Sequence, residues 1–95
     1  MIDRLMKNYG YNLTEETKYG AYYEKSEPQN YTHVVCVLHK HNGKHIMQSY
    51  DKEVLKISGK YVCDGVGVEI PVLFLMWLKA KKLGVKYHWN KHNLE

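Results

Sequence analysis

Two runs rich in β-branched and aromatic residues, 31–40 and 45–50, meet through Asn42-Gly43. Asn-Gly tolerates positive φ at both central positions, as a two-residue type I′ hairpin turn requires. No other feature constrains the chain as strongly, because it dictates an antiparallel pair of strands. With Asn42-Gly43 as the whole loop, Leu38 faces Met47 and Cys36 faces Ser49. Val37 then meets Gln48 and Val35 meets Tyr50 on the opposite side. Both faces of that hairpin are partly apolar. One can receive helices, and the other needs a further cover or a partner.

The flanking segments supply the rest of the fold. Residues 12–17 and 19–25 read as two more strands around a turn, the second with Tyr19, Ala21 and Tyr23 on one face. Glu27-Pro28-Gln29-Asn30 is a loop. Ile2, Leu5, Met6 and Tyr9 recur at i, i+3, i+4, i+7, the period of a short amphipathic helix, and Gly10 is its natural stop. A longer helix is expected from Glu69 to just before Gly84. Pro71 suits its first turn, where a missing N–H costs nothing, and Gly84 is the expected left-handed stop. Residues 51–67 stay ambiguous: Ser58-Gly59 and Asp64-Gly65 are turn signals, and Tyr61-Val62-Cys63 between them fits a short strand. The class is α+β: an antiparallel sheet of three to four strands, with a short N-terminal and a longer C-terminal helix on one face.

A chain of 95 residues is one domain's worth, and a domain this short must use its core fully. The C-terminal helix has more apolar surface than that task needs. Ile70, Val72, Leu73, Phe74, Leu75, Met76, Trp77 and Leu78 surround its axis, and a helix apolar all round is buried on more than one side. Trp77, Leu73 and Phe74 are expected in the core. Val72, Leu75 and Met76 are then left as candidates for contact with a protein partner or in a homodimer. Nine tyrosines against one phenylalanine suit half-buried sheet surfaces.

Charge is uneven. From residue 36 onward there are ten basic and five acidic side chains, so the net excess of +4 resides in the C-terminal half. Lys79, Lys81, Lys82, Lys86 and Lys91 interleave with Tyr87 and Trp89, a pattern that can neutralise phosphates and stack on exposed bases. These residues are the candidates for nonspecific nucleic-acid binding. The simpler reading is a helix end whose lysines answer the helix dipole, followed by a flexible basic tail over residues 85–95. Leu94-Glu95 has the look of a cloning scar.

Other chemistry finds little support. His39, His41 and His45 surround the hairpin turn, and His88 and His92 are spaced i, i+4, but neighbouring lysines would repel a cation. No metal or other cofactor is expected. Cys36 and Cys63 lack the context of a nucleophile and read as reduced thiols, with Cys36 in the core. Gly65-Val66-Gly67 leads into a helix opened by Glu69, which would repel phosphate. With no catalytic motif, the expectation is a non-enzymatic binding module. No secretory signal is visible, and the apolar run at 70–78 is about half a membrane span, so a cytoplasmic location without membrane insertion is expected.

Helix–strands–helix order resembles the double-stranded-RNA-binding domain. That family places its lysines at the start of the last helix, where this chain has Glu69-Ile70-Pro71, so no phosphate contact carries over. The segments Ile2-Asp3-Arg4-Leu5-Met6-Lys7-Asn8-Tyr9-Gly10-Tyr11, Tyr23-Glu24-Lys25, Tyr31-Thr32-His33-Val34-Val35 and Gln48-Ser49-Tyr50-Asp51-Lys52 resemble small proteins of Gram-positive bacteriophages and prophages. That resemblance implies an accessory binding protein acting in the producing cell or phage host, and assigns no functional residue.

Overall fold

The computed structural model describes residues 1–28, 31–40, 43–52 and 67–89. The expectations for Cys63, the 61–63 strand, His41, Asn42, Lys91, His92 and Leu94-Glu95 lie outside them. The described chain runs α1 (Ile2–Asn8), β1 (Asn12–Thr17), β2 (Gly20–Glu27), β3 (Tyr31–His39), β4 (His45–Asp51) and α2 (Ile70–Lys86). The four strands form one antiparallel sheet in the order β1-β2-β3-β4, the meander that short connections favour. This is the expected α+β class.

The β3–β4 register differs from the expected one by a residue. Lys40 N–H donates to Lys44 O at 2.9 Å, and Gly43 N–H donates to Lys40 O at 2.9 Å. The turn is thus one residue longer than a two-residue loop. Gly43 has the expected positive φ, 82°. Leu38 pairs with Ile46, Val37 with Met47, Cys36 with Gln48 and Val35 with Ser49. Because side chains alternate between faces, a one-residue slip changes which residues of β4 share a face with β3. Val37 and Met47 now lie with Ala21 on the helix side, and Val35 lies there with Tyr23.

That face carries the core. Ala21, Tyr23, Val35 and Val37 of the sheet pack against Ile2 and Met6 of α1 and Val72, Leu75, Met76 and Leu83 of α2, with Tyr11 and Trp89 closing the ends. Leu5 remains 37% exposed, so the inward stripe of α1 is narrower than its periodicity implied. On the reverse face Val34 and Cys36 are buried, while Leu38, Ile46 and Tyr50 are half-buried.

Tyr19 sits in the β1–β2 turn at 55% exposure rather than on the core face of β2. The next residue, Gly20, has φ +154°, and a Cβ there would lie 2.1 Å from Val37 O. Since that oxygen is backbone, the sheet itself would have to move. Gly20→Ala should therefore cost about 2–4 kcal/mol, combining the strained conformation with the overlap. A urea midpoint unchanged from wild type would contradict this packing.

α2 is the largest departure from expectation. It continues two residues past Gly84, which is buried inside the helix; the positive φ that follows its end belongs to His88, at 60°. Val72, Leu75, Met76, Lys79 and Leu83 face inward. Leu73, Phe74 and Trp77, expected in the core, are 46%, 56% and 53% exposed. The two sets occupy opposite sides of a helix with about 3.6 residues per turn. Val72, Leu75 and Met76 are consequently core residues and not a contact surface.

Candidate protein-interaction face

The outward stripe of α2 is built from Ile70, Leu73, Phe74 and Trp77, at i, i+3, i+4 and i+7. Ile70 at the start of the helix is 79% exposed, and Val85 near its end is 77% exposed. The Phe74 and Trp77 rings stack at a centroid distance of 5.9 Å, and Lys81 Nζ lies 4.6 Å from the Trp77 ring centre. Beside the stripe runs a groove of ≈ 900 Å³ floored by Val37 and Met47 of the sheet and walled by Leu73, Trp77 and Ala80. His45 of β4, the last strand of the sheet among the described residues, forms its other rim. Met47, at the floor of the groove, packs against the core but is only partly covered.

A polar tie fixes the roll of α2 about its own axis. Lys79, only 6% exposed, places Nζ 2.7 Å from Glu16 and 3.2 Å from Asp3. Asp3 also accepts a short hydrogen bond from the Tyr23 hydroxyl, and Lys86 Nζ lies 2.9 Å from Glu16. Glu16 reaches this position through a β-bulge between Leu13 and Glu15, which sets Glu16 opposite Ala21 on the helix face. Hydrogen bonds from Lys79 and Lys86 hold the Glu16 carboxyl down at about 2. Burial pushes Asp3 up, but the Tyr23 hydroxyl and the Lys79 ammonium outweigh it, leaving Asp3 below its ordinary value. Burial and the Asp3 hydrogen bond raise Tyr23. Every charge in the group has a partner, so the arrangement is that of a structural ion-pair network.

Among the described residues, those expected to bind nucleic acid do not assemble. Lys79 is buried in that network, Lys86 pairs with Glu16, and the Tyr87 hydroxyl donates to Glu16 at 3.4 Å. Trp89 is 2% exposed: its Nε1 donates to Lys18 O at 2.7 Å, and its ring stacks on His39 at 5.2 Å. Val85 and Lys86 belong to α2, so the expected flexible tail does not begin at residue 85. Lys81 and Lys82 alone of the candidate lysines are exposed and unpaired by an acid among the described residues.

His33 is a buried imidazole between Tyr11 Oη, 2.9 Å from Nδ1, and Ser49 Oγ, 2.6 Å from Nε2. Burial, its largest influence, lowers its proton affinity below the ordinary value of 6.5. The unfolded chain then takes up a proton before the folded one, so stability is lost as pH falls below about 6.5. Glu16 adds a second loss between 4.5 and about 2, as its carboxylate is protonated. The urea midpoint should fall from neutral pH to mildly acidic pH, and His33→Gln should flatten that slope. An identical slope in the variant would show that His33 does not carry the effect.

Among the described residues, no group of three His, Cys, Asp or Glu side chains is placed to hold a metal ion, and no helix is long and apolar enough to cross a membrane. No family model, curated protein or solved structure matches the chain.

Proposed function

We propose that the chain is a small non-enzymatic binding module that receives a protein partner on the outward face of α2. The observation that carries this reading is the stripe Ile70, Leu73, Phe74 and Trp77, exposed together beside an apolar groove. Exposed apolar surface is worth roughly 25 cal/mol per Å² to whatever hides it. A contiguous patch of large apolar side chains is what distinguishes interaction sites from the scattered apolar residues of an ordinary surface. Paired aromatics suit the centre of such a contact, and Lys81 over Trp77 supplies a cationic rim. An accessory protein of phage origin, acting in the cytoplasm of its host, fits this role. Nucleic-acid binding is the weaker reading, because it would rest on Lys81 and Lys82 without an exposed stacking ring from Trp89.

Affinity purification from the organism that encodes the chain tests the proposal. Wild type is compared with Phe74→Ser/Trp77→Ser, and captured proteins and nucleic acids are both identified. Each side chain is already about half exposed, so the expected loss of stability is about 1–2 kcal/mol per site, and a melting curve checks that the variant is folded. It should lose specific proteins retained by wild type. Equal protein recovery from both, or retention of nucleic acid alone, would overturn the reading.

A further inference from the structure

We infer that the outward face of α2 is self-complementary and accepts a second copy of this chain, with the two α2 helices antiparallel about a two-fold axis between Phe74 and Trp77. The inference rests on the proposed protein-binding role of the same face and names its occupant.

The order of residues along α2 carries the argument. An acid, Glu69, stands at its N-terminal end, and Lys81 lies on the exposed stripe near the other end. A two-fold axis midway between Phe74 and Trp77 sets Phe74 of one copy against Trp77 of the other, and repeats that contact symmetrically. It lays Ile70 along the aliphatic stem of Lys81 in the second copy and brings Glu69 close to that lysine's ammonium. Antiparallel helices also place opposite dipole ends together. A parallel pair would instead align Lys81 with Lys81 and Glu69 with Glu69, juxtaposing like charges. The spacing i, i+3, i+4, i+7 is that of a helix–helix seam.

The area sets the strength. Taking about 150–250 Å² for each large side chain, the exposed fractions of Ile70, Leu73, Phe74 and Trp77 come to roughly 350–600 Å² per copy. A stable interface typically buries about 800 Å² per partner, so the dimer is a weak one. A dissociation constant between about 10 μM and 1 mM is expected.

Sedimentation equilibrium of the full chain, carried up to about 1 mM, tests this. Wild type should pass from monomer to dimer. Phe74→Glu should weaken the dimer at least tenfold, while a melting curve at low concentration shows it folded. Glu69→Lys and Lys81→Glu should each weaken association severalfold, and the two together should restore it. Restoration is specific to the antiparallel register. A wild-type monomer throughout would overturn the inference and leave the binding-module reading to be judged by the purification experiment. A dimer indifferent to Phe74→Glu, or a charge exchange that fails to restore association, would overturn it as well.

Discussion

Replacing Trp89 with alanine should destabilise the domain by about 3–5 kcal/mol, the range for emptying a large buried aromatic site. The indole is 2% exposed, stacks on His39 with an interplanar angle of 12°, and lies 5.1 Å from the His45 ring. Its Nε1 donates to Lys18 O, so one side chain joins the end of α2 to the β1–β2 turn and to the turn end of the β3–β4 hairpin. Truncation would open a cavity and leave the Lys18 carbonyl without that donor. Trp89→Phe keeps much of the packing and loses the hydrogen bond, so it should recover more than half of the deficit. Chemical denaturation measures both variants. A loss under about 1 kcal/mol for the alanine variant would mean that the segment after α2 is not anchored.

Lys79→Met should be nearly as damaging, at about 2–4 kcal/mol. The ammonium neutralises two carboxylates, Glu16 and Asp3, at a position where the lysine is 6% exposed. Removing one partner from a buried ion pair costs about 3–5 kcal/mol, and the part-exposed side chain of Asp3 reduces that through solvent screening. Methionine retains the volume, so the effect reads charge and not a cavity. Neutralising the acids in the same chain, with Glu16→Gln and Asp3→Asn, should recover much of the stability, because an uncharged cluster leaves no unpaired charge. Absence of recovery would mean that the loss does not come from the unpaired carboxylates. The single variant should also lose less stability at acid pH, since Glu16 would no longer be held so low.

Periodicity and turn chemistry made the elements legible in the amino-acid sequence, and the tertiary choices were not. The 3.6-residue period of Ile2 and Met6 and the β-rich runs flanking Asn42-Gly43 mark α1 and the β3–β4 hairpin correctly. The register escaped because Asn-Gly serves a two-residue loop and a longer one alike; the Lys40–Lys44 bond decides between them and has no local signature. In α2 both stripes are apolar, so period alone cannot say which is inside. Lys79 lies on the inward stripe, although its charge reads in the sequence as a candidate phosphate contact. Its partners Asp3 and Glu16 come from distant parts of the chain, and Glu16 turns toward it only through the β1 bulge. Trp89 among lysines reads as a stacking ring until the carbonyl of Lys18, on a remote turn, is seen to hold it. The candidate face is therefore visible as an excess of apolar residues, while nothing local says which of the two stripes faces out.

Photocrosslinking from position 74 tests the account most directly. Phe74 is replaced by benzoylphenylalanine, which preserves an aromatic ring at that site, and the chain is irradiated in the cells that encode it. The same substitution at exposed Asn12, on the far edge of the sheet, serves as the control. Discrete protein adducts are expected from position 74, a second copy of the chain among them, and not from position 12. Adducts of equal kind and yield from both positions, or none from position 74, would contradict this.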